Sequence, residues 1–281
     1  MNSTRPPSVD HPPLLYGTAW KEDETERLAI LALEQGFRGI DTANQRKHYH
    51  EAGVGAALRT AFASGVVARD ELFLQTKFTF LGGQDHRLPY DRDAPTGTQV
   101  AQSFASSLEH LGVDRLDSYV LHGPSRQSGL GPMDWEAWEA MEQLHAAGRT
   151  KSLGISNVNL PQLELLCRGA RVRPQFVQNR CYAVLGWDRA VRGFCRTHGV
   201  VYQGFSLLTA NRAVLAHPTI ERLAARHHRT PAQIVFRFAL DVGMLPLTGT
   251  TNPDHMRADL SVDDFRLDPT EVTTIETLIE R

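Results

Sequence analysis

Three short apolar runs in this chain end in a single polar group of a kind that does proton chemistry. Asp41 follows Phe37-Arg38-Gly39-Ile40, Lys77 follows Leu72-Phe73-Leu74-Gln75-Thr76, and His122 follows Leu116-Asp117-Ser118-Tyr119-Val120-Leu121. The stretch after Asp41, Thr42-Ala43-Asn44-Gln45-Arg46-Lys47-His48-Tyr49-His50-Glu51, adds a tyrosine between two histidines. A free phenol, with a pKa of about 10, is a poor proton donor at neutral pH, and an adjacent ammonium lowers that value. Lys77 would supply the ammonium, Asp41 would pin it by an ion pair, and His122 would hydrogen-bond the substrate oxygen. Such a set suits general-acid catalysis on a carbonyl oxygen while a hydride reaches the carbon. The hydride has to come from a cofactor, because no side chain donates one. Each residue alone has a plainer role, since aspartates at strand ends commonly cap helices or shape turns. It is the recurrence at three separate strand ends that favours chemistry.

Strand ends converge only in certain folds. Strand-like and helix-like segments alternate along the whole chain: strands at Leu14–Thr18, Phe37–Ile40, Leu72–Thr76, Leu116–Leu121, Lys151–Ile155, Gln175–Gln178, Val200–Phe205 and Met244–Leu247. Helices are predicted at Glu22–Gln35, Glu51–Ser64, Thr96–Leu111, Asp134–Ala147, Leu160–Cys167, Arg189–His198, Ile220–His227, Pro231–Asp241, Pro253–Leu260 and Thr270–Arg281. Glycines after apolar stripes (Gly36, Gly112, Gly199) mark helix ends, and Pro231 marks a first turn. Such alternation means a parallel sheet. Eight repeats in a chain of this length favour a single-domain α/β TIM barrel, (β/α)8, in which the C-terminal strand ends share one mouth. The expected organisation is a flexible N-terminal arm over residues 1–13 and a barrel over residues 14–281. The longest connections, Phe78–Pro95 and Gly123–Met133, would lie at that mouth and set the substrate.

Bulk properties narrow the partners. The 281 residues are 41 % hydrophobic and 22 % charged, with a formal net charge of −2, so nothing global suggests nucleic acid or an anionic membrane. Cys167, Cys181 and Cys195 form no C-x-x-C pair, which argues against a disulfide framework and for a reducing, cytoplasmic setting. The first 13 residues are polar and Pro-rich, unlike a signal peptide. No apolar run is long enough to span a bilayer.

The same motifs resemble a known family, the aldo-keto reductases, almost end to end from Leu15-Tyr16-Gly17-Thr18-Ala19-Trp20 to about Leu260. Gly36-Phe37-Arg38-Gly39-Ile40-Asp41-Thr42-Ala43 resembles that family's Gly-Tyr/Phe-Arg-x-Ile-Asp-Thr-Ala signature. Leu72–Lys77 resembles its lysine strand, and Leu111-Gly112-Val113-Asp114 with Leu116–Pro124 its histidine strand. Gly154-Ile155-Ser156-Asn157 and Val177-Gln178-Asn179-Arg180 resemble its nicotinamide-binding strands. The resemblance implies a catalytic set of Asp41, Tyr49, Lys77 and His122, and an NADP(H) cofactor with NAD(H) as the alternative. It also implies carboxamide contacts from Ser156, Asn157 and Gln178 and an aromatic, Phe205, stacked on the ring. Gly17, Thr18, Asp41, Ser206, Leu208, Gly249, Thr250, His255 and Asp259 would complete the cofactor site, and Trp20 with His122 would wall a small-molecule carbonyl pocket.

Two segments depart from the family pattern. The family's tyrosine stands five residues after the Asp and three before a Glu; here those positions hold Arg46 and His48. Tyr49 is preferred as donor, since arginine cannot release a proton, and His48 is the alternative. In Leu247-Thr248-Gly249-Thr250-Thr251-Asn252-Pro253-Asp254-His255 the lysine often found there is missing. Gly249 and Thr250 before a helix can still cradle phosphate, and a protonated His255 would pair with it. Gly53-Val54-Gly55 reads as helix packing, and His227-His228 as surface. Two other functions fit the same residues: a metal-dependent hydrolase using the His48-x-His50 pair, and a nucleotide-binding redox sensor with poor turnover. The substrate, the NADPH-versus-NADH preference and the oligomeric state are not legible here.

Overall fold

The structure, a computed structural model, describes residues 10–279. Its centre is a closed parallel barrel of eight strands in sequence order, in which the first strand also pairs with the last. The strands are β1 Leu15–Gly17, β2 Gly39–Asp41, β3 Phe73–Phe78, β4 Leu116–Leu121, β5 Thr150–Ser156, β6 Phe176–Arg180, β7 Val201–Phe205 and β8 Met244–Thr248. Around them lie α1 Thr25–Glu34, α2 Glu51–Ala63, α3 Thr96–Leu111, α4 Pro132–Ala146, α5 Leu160–Gly169, α6 Arg189–His198, α7 Arg212–Leu215, α8 Pro218–His227, α9 Pro231–Asp241, α10 Pro253–Leu260 and α11 Pro269–Glu276. Helices α3, α6, α9 and α10 have the bounds predicted from the sequence. The helix predicted over Glu22–Gln35 is instead a 3-10 turn at Glu22–Glu24 leading into α1. The four-residue α7 carried too short an apolar pattern to be predicted.

Strand side chains alternate between the barrel interior and the helical layer. On β3 the outward set, Leu74, Thr76 and Phe78, meets the helices; Thr76 Oγ1 donates to Glu51 Oε1 on α2. The inward set stacks in layers along the barrel axis. Lowest is an apolar plug of Leu15, Phe73, Phe176 and Leu245, where the Phe73 and Phe176 rings meet edge-on at 5.4 Å. Above it Gln203 bonds across the barrel to Gln75 and to its neighbour Gln178 on the adjacent strand. Above that come the polar groups of the mouth. Helix packing against the outer face supplies the main core, from Leu28 and Phe37 to Phe238 and Ile275.

Part of the arm expected over residues 1–13 lies outside the described residues. Within them, His11 rests edge-on against Phe176 at 6.2 Å, beneath the barrel. A Cβ on Gly39 would stand 2.4 Å from Leu15 and 2.6 Å from Pro12, so this segment is packed. A Cβ on Gly55 would lie 1.9 Å from the His110 carbonyl and one on Gly53 3.1 Å from Thr25, which identifies Gly53-Val54-Gly55 as close packing of α2 on α3 and α1. His227 corrects its surface reading: it is largely buried and its Nε2 lies 3.0 Å from Glu271 of α11. The three cysteines are free and buried. Among the described residues no helix is long and apolar enough to cross a membrane.

Candidate active site

β2, β3 and β4 bring Asp41, Lys77 and His122 to the same end of the barrel. Lys77 is fully buried. Its Nζ donates to both Asp41 oxygens at 2.7 Å and to the Thr42 carbonyl at 2.8 Å. Asp41 Oδ1 also accepts from Gln75 Nε2 at 2.6 Å and from Gln178 Nε2 at 3.1 Å. The ion pair therefore sits on the glutamine layer as the floor of the site. Burial pushes the Lys77 pKa down, and Asp41 opposes that.

Tyr49 lies over this floor, with Lys77 Nζ 5.3 Å from its ring centre. Its ring meets His122 edge-on at 6.0 Å and 71°. The hydroxyl makes no hydrogen bond to any described residue, and Tyr49 lines the main cavity. The sequence reading expected Lys77 to lower the phenol's pKa. The structure reverses this: burial first, and then the Asp41 charge, push Tyr49 well above the usual tyrosine range. The ammonium is tied to Asp41, so its field at the phenol is largely cancelled. Tyr49 consequently keeps its proton throughout the neutral range, as a donor must.

His122 Nδ1 stands 2.7 Å from Thr79 Oγ1. Burial, and then Lys77 and His48, hold its pKa down to about 3, so the imidazole is neutral. When the Thr79 hydroxyl donates to Nδ1, Nε2 carries the hydrogen and can donate to a ligand oxygen. His48, the other candidate donor, sits at the rim. Its ring stacks on Trp20 at 3.8 Å, its Nδ1 lies 2.8 Å from Gln45 Oε1, and its carbonyl accepts from Trp20 N. His48 and His50 do not converge with a third ligand; among the described residues no group of three His, Cys, Asp or Glu side chains could hold a metal ion.

A cavity of about 1060 Å³ runs from Trp20, Tyr49 and His122 past Phe205 to Gly249 and Asp259. Pockets for a single drug-sized ligand run to about 300–1,000 Å³, so this cavity stands at the top of that range and far exceeds what a short carbonyl compound needs. Of the predicted cofactor contacts, Gly17, Asp41, Ser156, Gln178, Phe205, Ser206, Leu208, Gly249, Thr250, His255 and Asp259 line it. Thr18 does not: it is fully buried and donates to the Asp41 carbonyl. Asn157 stands beside the wall, donating to the His122 carbonyl at 2.8 Å and to Ser156 Oγ at 3.2 Å. Trp20, Asn157 and Ser206 all have left-handed backbones, with φ of 62°, 52° and 57°. Strain of this kind costs about 1–3 kcal/mol per residue and tends to gather at functional sites. The long loops at 78–95 and 123–133 contribute nothing to the main cavity lining, but Arg87 of the first lines an adjoining pocket that shares Trp20, His48 and Tyr49 with it.

At the far end Thr248 Oγ1 donates to Asp259 Oδ2 at 2.7 Å, and burial raises the Asp259 pKa to about 6, with Thr248 and His255 opposing. Lys21 reaches over from the β1 side and donates to the Gly249 carbonyl at 2.7 Å. It is 7 % exposed, and burial lowers its pKa to about 8. Sequence reasoning missed Lys21, Thr79, Gln75 and Gln203. The last three were within reach, since each stands two residues from a predicted site residue on the same strand or its extension and so on the same face.

This arrangement has counterparts among known proteins. The profile of the Aldo/keto reductase family matches residues 14–280. The chain belongs to the aldo-keto reductase family. It is 31 % identical to Aldo-keto reductase family 1 member C1 of Macaca fuscata fuscata, over 95 % of this chain and 88 % of the relative. It is 32 % identical to Methylglyoxal reductase DkgA of Yersinia pestis, over 91 % of this chain and 84 % of the relative. The fold matches the crystal structure of an aldo-keto reductase from a Medee basin deep-sea metagenome library. The TM-score is 0.82 at 23 % identity, over 96 % of this chain and 92 % of that one. As an aldo-keto reductase the protein is an oxidoreductase of the carbonyl-reducing type, and the family works with nicotinamide cofactors.

Proposed function

We propose that this aldo-keto reductase reduces an aldehyde or ketone with Tyr49 as general acid and a nicotinamide dinucleotide as cofactor. The observation that carries the reading is the convergence of Tyr49, His122 and the Lys77–Asp41 pair at one end of a cavity that is too large for a small substrate alone. The residues suit such a cofactor. Ser156, Asn157 and Gln178 offer hydroxyl and amide groups to the carboxamide, Phe205 offers a ring face, and Gly249–Thr250 offers phosphate-binding backbone. When bound, the nicotinamide supplies the hydride.

The chain's own residues do the rest. His122 Nε2 and the Tyr49 hydroxyl would grip the carbonyl oxygen, polarising it toward the incoming hydride. Tyr49 would pass its proton to that oxygen as negative charge develops there. Lys77 and Asp41 would hold the floor and limit the field at the phenol. Trp20, stacked on His48, would flank the substrate. NADP(H) is the preferred cofactor with NAD(H) accepted, the cation at the adenosine end coming from Lys21 and His255. A small carbonyl substrate and a cytoplasmic setting complete the reading, and the methylglyoxal reductase relatives make a short dicarbonyl the first compound to try.

The test is NADPH and NADH consumption with methylglyoxal and a panel of aldehydes and ketones. Tyr49→Phe should lower turnover by roughly a hundredfold or more while nucleotide affinity stays unchanged. His48→Ala should keep most of the activity. The reverse pattern would make His48 the donor, and nucleotide binding without turnover on any carbonyl would favour a sensor.

A further inference from the structure

Layers inside a parallel barrel are commonly filled by branched aliphatic side chains. In this barrel one layer holds three buried amides: Gln75 on β3, Gln178 on β6 and Gln203 on β7. A buried amide is costly unless its hydrogen bonds are made, and here they are made within the layer. Gln75 Nε2 donates to Asp41 Oδ1 at 2.6 Å and to Gln203 Oε1 at 2.9 Å. Gln178 Nε2 donates to the same two oxygens, at 3.1 and 2.9 Å. Gln203 Nε2 closes the set by donating to Gln75 Oε1 at 3.0 Å.

The sense of these bonds follows from Asp41. A carboxylate accepts and never donates, so Gln75 and Gln178 must both turn their NH2 groups to it. Gln203 must then turn its oxygen to those two groups and its own NH2 to Gln75. Turning the Gln178 amide over would set its oxygen against Asp41 Oδ1 and Gln203 Oε1, two acceptors, in an interior where such a mismatch is expensive. Of the three amides, Gln178 alone lines the main cavity. Its Oε1 accepts nothing from any described residue and is not a buried atom without a partner, so it is open to the cavity as an acceptor.

We infer that Gln75 and Gln203 are positioning residues that lock the Gln178 amide with its oxygen toward the cavity, so that this wall selects a ring substituent able to donate a hydrogen bond. This rests on the dinucleotide reading above, in which Gln178 meets the nicotinamide carboxamide. Neither Gln75 nor Gln203 lines the cavity; both act through Gln178. Asp41 thereby sets the polarity of cofactor recognition with the same carboxylate that pairs with Lys77.

The test is a set of dissociation constants, measured by calorimetry on wild type, Gln203→Met and Gln203→Glu. The ligands are NADP+, its 3-acetylpyridine analogue and its thionicotinamide analogue, with the corresponding NAD+ series alongside. The acetylpyridine ring carries a methyl ketone and has no hydrogen to give Gln178, whereas the thionicotinamide keeps the NH2. Wild type should prefer the carboxamide to the methyl ketone by about tenfold, the usual size of one hydrogen bond to an acceptor otherwise left bare. Gln203→Met removes the layer's accepting oxygen at similar volume, and the preference should shrink by about threefold or more. The thionicotinamide analogue should follow the carboxamide through that change. Gln203→Glu keeps an accepting oxygen in the same shape and should keep the preference. Circular dichroism would check that the variants fold; should Gln203→Met fail that check, Gln75→Met replaces it. An unchanged preference in the methionine variant, or an equal loss of affinity for every ligand, would reduce the layer to packing and overturn the inference. So would a preference lost equally in Gln203→Met and Gln203→Glu, or wild type that binds carboxamide and methyl ketone alike. Wild-type protein that binds no dinucleotide would overturn the dinucleotide reading and this inference with it.

Discussion

Lys77 directs its hydrogen bonds to Asp41 and the Thr42 carbonyl and makes none to Tyr49, which changes what its loss should do. Lys77→Met leaves Asp41 buried and unpaired, a defect that costs about 3–5 kcal/mol in typical proteins. Thermal unfolding should therefore show a sharply lowered Tm together with lost turnover. Adding Asp41→Asn should restore much of the stability without restoring activity; an unaltered pH–rate profile in Lys77→Met would reduce the lysine to a structural part. His122 gives a pH prediction of definite sign. Its folded pKa is depressed to about 3, so between there and the ordinary histidine range the unfolded chain binds the extra proton. The stability it contributes is present above the ordinary range and is lost as pH falls toward 3, with a slope of at most about 1.4 kcal/mol per pH unit. Asp259, raised to about 6, acts with the opposite sign between the ordinary aspartate range and 6. Comparing His122→Gln with wild type isolates the histidine: the variant should lose less stability on acidification from pH 6.5 to 4. The residue types at this site were legible in the sequence because they break apolar strands at their ends. The direction of the Tyr49 shift was not, since it depends first on how deeply the phenol is buried and then on the nearby Asp41 charge, and both are matters of the folded geometry.

Elements were legible wherever periodicity and caps agreed. α3 begins after Pro95 and stops at Gly112, whose φ of 68° suits glycine, and both marks stand in the sequence. α9 has Thr230 as a side-chain cap with Gln233 answering it, again a local signal. The connections were less legible. The loops at 78–95 and 123–133 are long and follow strands, yet they stay off the main cavity, because loop length reveals nothing about the direction a loop folds. The displaced tyrosine was a question of the same kind. Two added residues before Glu51 put His48 at the family spacing, and the structure turns its ring out onto Trp20 while Tyr49 turns in over Lys77. Packing between elements offers a sharp test at Gly55. A methyl group there would meet the His110 carbonyl at 1.9 Å, a backbone atom that cannot swing away, so α2 and α3 would have to part. Gly55→Ala should lower stability by roughly 1–3 kcal/mol, the usual cost of overpacking, despite alanine's better helix propensity. A Tm equal to or above wild type would mean that the two helices are less tightly held than their geometry implies.

Across the whole molecule, the barrel sets two unlike electrostatic environments at opposite ends of one cavity system. The Tyr49 end is a neutral donor pair above a cancelled ion pair. The other end combines Lys21, His255 and the buried acid Asp259 around Gly249. None of this shows in the net charge of −2, which averages over the surface; only the closed fold, bringing residues from β1 and β8 together, creates the local field. A ligand that binds the folded state stabilises it by about 2.7 kcal/mol at a hundred times its dissociation constant, so unfolding midpoints report affinity at this end without turnover. With NADPH bound as proposed, Asp259, raised by burial to about 6, would repel a 2′-phosphate increasingly as pH rises through 6 and less as pH falls below it. The midpoint gained with NADPH, relative to that gained with NADH, should therefore grow as pH falls from 7.5 to 5.5. The 2′-phosphate itself titrates at about pH 6, so Asp259→Asn is the necessary control. That variant should favour NADPH more than wild type does at pH 7.5, and its NADPH-to-NADH difference should depend less on pH. An identical pH dependence in wild type and Asp259→Asn would remove Asp259 from cofactor discrimination.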